Sequence, residues 1–397
     1  MLNDFAEQRK QLREQLRARE SKDLYRRRLT LESPQQTHVL MAGREYLAFC
    51  SNDYLGLANH PQLIEAVCEG ARQYGVGAGA SHLITGHSSV HHALEEALAH
   101  FTGFPRTLLF STGYMANAGV ITALLDRRDT IFADKLNHAS LNDAALISRA
   151  RFVRYSHLDL ASLERQLAVC QTRRKLVMTD AVFSMDGDIA PVTQLLALCE
   201  KYDAWLMLDD AHGFGVLGSK GRGTVSHFDT SSPRIIYMAT LGKAAGVFGA
   251  FIAAQPEVIE TLIQHARSYV YTTATPPLLS HTLLKSLVLI EEEEWRRERL
   301  TQLVACLKRE VQSLRWRLLP SITPIQPLII GENDKALEIS EALRAQGILV
   351  PAIRPPTVPQ GAARLRISLS ASHTMDDVAE LGSALREMDR SAVAPAY

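Results

Sequence analysis

The run Trp205-Leu206-Met207-Leu208 is apolar without interruption and then stops at Asp209-Asp210-Ala211-His212-Gly213. A strand with one wet face alternates polar and apolar residues. A continuous apolar run ended by acids and a glycine is instead a strand covered on both faces, as in a parallel sheet. The same pattern recurs upstream. Thr107-Leu108-Leu109-Phe110 leads through Ser111-Thr112-Gly113-Tyr114 into an apolar-periodic helix from Met115 to Leu125, and Thr130-Ile131-Phe132-Ala133 leads into the polar segment 134–140. Arg151-Phe152-Val153-Arg154-Tyr155 precedes a helix starting near Asp159. Lys175-Leu176-Val177-Met178-Thr179 runs into the loop 180–188, and a helix from Pro191 to Asp203 returns to the first run. Such alternation predicts a largely parallel sheet with helices on both faces. Ligands of such sheets bind in the crevice outside the carboxyl ends of the strands.

Two residues at those ends carry a specific chemistry. Asp209 closes one strand. Lys243 follows the next, Arg234-Ile235-Ile236-Tyr237-Met238, within Thr240-Leu241-Gly242-Lys243-Ala244-Ala245-Gly246, whose small residues allow a ligand to approach closely. An acid and a lysine delivered to one crevice by neighbouring strands suit pyridoxal phosphate. The lysine forms a Schiff base with the aldehyde, and the acid pairs with the protonated ring nitrogen. Taken singly, Asp-Ala-His after a strand is as readily a cap, and Gly-Lys a surface turn. Two such features in order, each behind its own strand, favour the functional reading. Ser111-Thr112-Gly113 between strand and helix offers free amides and a helix dipole to a phosphate, although the same residues also serve as an N-cap. His138 and Ser184 lie just past strand ends as well. An isolated loop histidine is more often structural, but membership in a series of strand-end polar residues reverses that preference.

Composition excludes several alternatives. Lys+Arg and Asp+Glu both number 43, so no net field favours nucleic acid or an anionic membrane. No apolar segment approaches the ~18 residues of a membrane span. Residues 1–20 mix basic residues with Asp4, Glu7, Glu14 and Glu20, unlike a signal or transit peptide. The five cysteines are scattered, without CxxC or metal-ligand spacing, which predicts reduced thiols, a cytoplasmic location and no metal. Gly75-Val76-Gly77-Ala78-Gly79-Ala80-Ser81 lacks a preceding strand and a GK[ST], so neither a dinucleotide fingerprint nor a P-loop is supported. A backbone passing close to a ligand or a second subunit is the milder reading.

With 397 residues the chain has room for two domains. Residues 3–28 read as a charged amphipathic helix ending in Arg26-Arg27-Arg28, and residues 37–50 as a hairpin turning at Ala42-Gly43-Arg44. After Pro276-Pro277 a long helix carries Glu291 to Glu294 through Arg309 and Glu310, its acids on a solvated face. Residues 325–372 give short strands around the stiff turn Ile353-Arg354-Pro355-Pro356-Thr357-Val358-Pro359. The expected division is an N-terminal helix and hairpin over 1–45 packing with the small domain, a large cofactor-binding domain over 46–285, and a smaller α+β domain over 286–397.

Together, Ser51-Asn52-Asp53-Tyr54-Leu55-Gly56-Leu57, Asn137-His138-Ala139-Ser140, Phe183-Ser184-Met185-Asp186-Gly187-Asp188, Asp209-Asp210-Ala211-His212-Gly213 and Thr240-Leu241-Gly242-Lys243 resemble the α-oxoamine synthases, nearly end to end and in family order. The resemblance implies an α/β, aspartate-aminotransferase-like fold (fold type I of pyridoxal-phosphate enzymes) and a homodimer. Lys243 would bind the cofactor aldehyde and act as base, Asp209 would hold the pyridinium, and His138 would stack on the ring within reach of substrate. His212 and Ser184 would bond the ring's phenolic side, while the Gly113 and Tyr114 amides and Thr240 would hold the phosphate. Arg354 would bind the amino-acid carboxylate with Asn52 nearby, and Thr357 and Arg26 would line the acyl side. The turn 353–359 and Arg26-Arg27-Arg28 are most similar to the members that condense L-alanine with a pimeloyl thioester, whether of coenzyme A or of an acyl carrier protein. Alternatives are glycine C-acetyltransferase or 5-aminolevulinate synthase, against which Arg354-Pro355-Pro356-Thr357 argues, and a non-catalytic homologous subunit. Three positions depart from the usual pattern: Asp180 stands where Glu is frequent, Tyr114 where Phe is common, and Ser81-His82-Leu83 replaces a glycine-rich spelling.

Overall fold

Seven strands form one sheet: β1 Arg106–Phe110, β2 Thr130–Asp134, β3 Arg151–Tyr155, β4 Lys175–Asp180, β5 Trp205–Asp209, β6 Ile235–Thr240 and β7 Ala250–Ala254. Their order is β1-β7-β6-β5-β4-β2-β3. Only β7 runs antiparallel to its neighbours; the other pairings are parallel. This is a computed structural model, and it describes residues 2–391. Residue 1 of the expected first segment and residues 392–397 of the last lie outside the described residues.

The absence of polar alternation in these strands has a direct packing cause. Successive side chains point to opposite faces of a sheet, and except at the edge strand β3 both faces are covered here. Phe132, Val177, Leu206, Leu208, Tyr237 and Phe251 enter the core on one side. Ile131, Met178, Met207, Met238 and Ile252 enter a second core on the other. Each such buried side chain contributes about 1.5–3 kcal/mol relative to exposure. The crossover helices begin where the sequence supplies caps. Thr112 accepts from the Met115 amide at 3.2 Å, and Asp159 accepts from the Ser162 amide at 2.9 Å.

Two smaller sheets flank this body. His38–Met41 and Arg44–Ala48 form the expected hairpin, and its second strand pairs in parallel with Ile348–Leu349 near the other end of the chain. A four-stranded sheet orders Arg317–Leu318, Ile325–Gly331, Ala363–Ser368 and Ala352–Ile353. Among the described residues no helix is long and apolar enough to cross a membrane.

Two expected elements differ. The first helix spans Leu2–Glu20 rather than reaching residue 28. Asp23 takes a left-handed conformation (φ 55°), and the amides of Leu24 and Asp23 bond back to the carbonyls of Arg19 (2.8 Å) and Glu20 (3.1 Å). That is a Schellman closure made without glycine, so Arg26-Arg27-Arg28 follow the helix in irregular chain. The helix after Pro276 divides into Pro277–Glu292 and Trp295–Val311. Its acids do more than face solvent. Arg296 and Arg297 are buried, donating to the carbonyls of Leu55 (2.7 Å) and Ile290 (2.6 Å), and Glu293 and Glu294 are their ion-pair partners. Buried guanidinium groups require such partners.

The strand-end loops touch at Gly246. It holds φ +70°, and a β-carbon there would meet the Leu57 carbonyl carbon at 2.6 Å and the Ala58 nitrogen at 2.7 Å. Gly246→Ala therefore combines a left-handed residue with a backbone clash, about 1–2 and 1–3 kcal/mol respectively. Differential scanning calorimetry is expected to show a melting temperature several degrees lower. A shift under one degree would mean that the two loops are not in contact.

Candidate active site

The loops after β4, β5 and β6 meet the 51–57 segment and the strand Ala363–Ser368 around Lys243. The partly buried Lys243 ammonium bonds His212 Nε2 at 2.9 Å and makes no ion pair with any described carboxylate. Burial lowers its pKa from the ordinary 10.5 to about 8, against the raising influence of Asp209 and Asp180. Burial, reinforced by Lys243 and Arg366, also holds His212 well below its usual pKa, so the ring is neutral. Since Lys243 donates to Nε2, the ring proton sits on Nδ1 and is donated to the Tyr54 hydroxyl at 2.7 Å. Tyr54 in turn donates to Asn52 Oδ1 at 3.1 Å. Four groups from three separate stretches of the chain thus fix one another's tautomer and direction.

Asp209 is buried, and β4–β5 register sets it directly beside Asp180. Asp209 Oδ2 accepts from Asn117 Nδ2 at 2.8 Å, and Oδ1 accepts from the Ala211 amide at 3.1 Å. Burial first, and then the Asp209 charge, pushes the Asp180 pKa well above the carboxylate range. Of these two adjacent carboxyl groups, each opposing the other's charge, Asp209 is the one that holds the Asn117 and Ala211 donors. Asp180 also accepts from the His138 amide at 3.1 Å. His138 Nδ1 lies 2.7 Å from Ser140 Oγ and accepts from the Ser140 amide, which places the ring proton on Nε2.

The phosphate end assembles from β1 and β6. Thr112 takes the amides of Met115 and Ala116, leaving those of Gly113 and Tyr114 at the helix start for a ligand. A β-carbon at Gly113 would stand 2.8 Å from Thr240 Cγ2, so only glycine lets the two segments close up. Thr240 Oγ1 reaches the Ala211 carbonyl at 3.5 Å. The Tyr114 ring is exposed and its hydroxyl donates to Asp143 at 2.7 Å, so this residue offers the site its amide.

Not every predicted residue joins this cluster. Arg354 donates to the Asp23 carbonyl, and with Arg26 and Thr357 it lines a separate cavity of about 170 Å³. The guanidinium inside the cluster is that of Arg366, on Ala363–Ser368. Its Nε donates to the Ser184 carbonyl at 2.5 Å, and both terminal nitrogens converge on Asn52 Oδ1 at 3.2 Å. Neither Arg366 nor Asn117 had a sequence signal of its own.

These residues fit pyridoxal phosphate. A partly buried amine without a carboxylate partner, a buried carboxylate at a neighbouring strand end and a helix start with free amides are the donors and acceptors the cofactor needs. An aldehyde is attacked by the free amine and not by the ammonium. Capture of pyridoxal phosphate by cofactor-free protein is therefore expected to accelerate with pH and level off above about 8. Arg366→Ala removes a charge that lowers this pKa and should move the midpoint upward, as read from visible absorbance against pH. A wild-type midpoint near 10.5, the ordinary lysine value, would contradict the buried-amine geometry.

Residues 44–385 match the family of class I and II aminotransferases. The chain is 73% identical over 379 residues to the 8-amino-7-oxononanoate synthase of Nitrosospira multiformis, with 96% of each covered. Serine palmitoyltransferase from S. paucimobilis with a bound PLP–myriocin aldimine has a TM-score of 0.88 at 28% identity, covering 92% of each chain. The crystal structure of 8-amino-7-oxononanoate synthase from Francisella tularensis has a TM-score of 0.76 at 31% identity, covering 88% of this chain and 99% of that one. The chain belongs to the class I and II aminotransferase family, in its pyridoxal-phosphate-dependent α-oxoamine synthase branch.

Proposed function

We propose that this chain condenses L-alanine with a pimeloyl thioester to give 8-amino-7-oxononanoate, the product for which its relatives are named, with carbon dioxide and free thiol, as a cytoplasmic step of biotin synthesis. The observation that carries the reading is Lys243, a partly buried amine held by His212 beside Asp209 and Asp180. Asp209 would face the ring nitrogen of the cofactor, His138 the ring itself, and Ser184 and His212 its phenolic side. The Gly113 and Tyr114 amides and Thr240 would take its phosphate. When bound, the cofactor supplies an electron sink for the pair released at the amino acid's Cα.

The chain's own groups do the rest. Lys243, with a pKa near 8, is suited to take the Cα proton and return one later. Carbon–carbon bond formation at the thioester carbonyl expels the thiol, and the alanine carboxylate leaves as carbon dioxide. His138 Nε2–H would donate to the oxygen that gains charge. Arg366 is the better candidate than Arg354 for the alanine carboxylate, because its fork meets Asn52 Oδ1 inside the Lys243 cluster, whereas Arg354 lines the other cavity. Arg26, Arg354 and Thr357 share the other cavity, where two guanidinium groups suit the terminal carboxylate of a pimeloyl chain. This arrangement fits a large domain over 46–285 supplying the cofactor residues and a small domain over 286–397, with 1–45 beside it, supplying the arginines. A second copy of the chain covers Val76, Ile84 and Tyr271, apolar residues 78%, 75% and 73% exposed. Gly75, Gly77 and Gly79 nearby have no neighbour within 4 Å of where a side chain would begin.

Steady-state kinetics with carbon dioxide and amino ketone both measured test the assignment. Arg366 is buried, so Arg366→Ala should cost about 2–5 kcal/mol, mainly in use of alanine. Arg26 is exposed, so Arg26→Ala should cost about 1 kcal/mol or less and fall on the pimeloyl thioester alone. The reverse split would exchange the two subsites. Faster turnover with acetyl or succinyl thioesters in the wild type would refute the pimeloyl reading.

A further inference from the structure

Outside the Lys243 cluster, the helix Ser89–Thr102 carries His91, His92, Glu95 and Glu96, and His82 and His87 precede it. These groups are not equivalent. His91 is fully buried, and both of its nitrogens are occupied: Nδ1 accepts from the Ser88 amide at 3.1 Å, and Nε2 lies 2.8 Å from the Thr275 carbonyl. It is a structural histidine. His87, His92 and Glu95 each offer a ligand atom, all within 4.8 Å of one another, on a cavity of about 280 Å³.

The surroundings prepare this trio. His82 stacks on Tyr269 (centroids 4.9 Å apart, planes at 11°), and its Nδ1 lies 3.0 Å from His87 Nδ1. That contact orients the His87 ring and leaves Nε2 free, as outer partners do for ligating imidazoles. His92 and Glu95 are three residues apart on one helix and so share a face. Glu95 Oε1 accepts from the Leu109 amide at 3.0 Å, while Oε2 has no hydrogen-bond partner among the described residues. Glu96, 3.3 Å from His92 Nε2, adds a further carboxylate. The neighbouring cation, Arg106, is engaged by Glu260 at 3.0 Å.

We propose that His87, His92 and Glu95 form a binding site for a borderline divalent transition metal of the zinc class. Two imidazoles and one carboxylate select such an ion over magnesium or calcium, which take oxygen ligands. A bound ion ties the 82–87 turn to the helix that follows it. Cysteine spacing could not reveal this site, because the ligands are spaced His-x4-His-x2-Glu.

The holoenzyme, stripped of metal with a chelator and dialysed, is titrated with cobalt(II) and separately brought to equilibrium dialysis with zinc(II). The expected result is one ion per chain, with weak visible cobalt bands and no sulfur-to-cobalt charge transfer. Removing even an outer partner of a metal site costs about tenfold or more, so His92→Ala and Glu95→Gln should each weaken binding by at least that factor. His227→Ala, at an exposed histidine elsewhere, should not. His92 is exposed, so its variant keeps the fold, and circular dichroism checks this. Binding by His92→Ala as tight as wild type, no stoichiometric uptake, or a sulfur-to-cobalt band from the exposed Cys50 or Cys68 would each overturn the proposal.

Discussion

The structure of this site depends on shielding an amine from most of the solvent without giving it a counter-charge in contact. Among the described residues the Lys243 ammonium has a single hydrogen-bond partner, the neutral His212 ring. Burial disfavours the charged form, and only the more distant Asp209 and Asp180 hold the pKa as high as about 8. Everything around it follows from that compromise. His212 must be neutral and must present Nε2 as acceptor, so its other nitrogen must donate, and Tyr54 is there to receive. Tyr54 and Arg366 both end on Asn52, at 3.1 and 3.2 Å. The 51–57 segment, the β5 and β6 loops and the strand 363–368 are thereby locked as one unit, and a half-satisfied version of this network would be costly.

A second electrostatic clamp holds the opposite wall. His157 bonds Asp134 at 3.0 Å and Asp188 at 2.7 Å. Burial alone would lower its pKa, but the two carboxylates raise it to about 10. A charged histidine there joins the loop carrying His138 to the loop carrying Ser184. The rigid sheet sets the positions, and these clamps set the directions.

Six strands of the sheet were legible in the sequence, most clearly those whose two buried faces give apolar runs ending in Asp209, Asp180 and Thr240; the antiparallel strand Ala250–Ala254, placed between β1 and β6, was not. The residues proposed to hold the cofactor stood out in the sequence for a related reason: Asp209 and Thr240 end such runs, and Lys243, His212, His138 and Ser184 follow them. Arg366 did not. In Ala363-Arg364-Leu365-Arg366-Ile367-Ser368 an arginine alternating with apolar residues reads as solvent-facing, and its true partner, Asn52, is 314 residues away. The expectation for Arg354 went instead to a turn that lies against Asp23. The first helix was read too long because its stop is Asp23 in a left-handed conformation, a role that glycine usually announces. The break at Glu293-Glu294 was hidden for a similar reason, since the buried Arg296 and Arg297 that require those acids look like ordinary surface charges.

Lys243, and no other lysine, is the amine proposed for the reaction centre. Borohydride reduction of the holoenzyme followed by peptide mass mapping tests it most directly. One pyridoxyl group per chain is expected, on the peptide containing Thr240-Leu241-Gly242-Lys243. A stoichiometric label on any other lysine would contradict it.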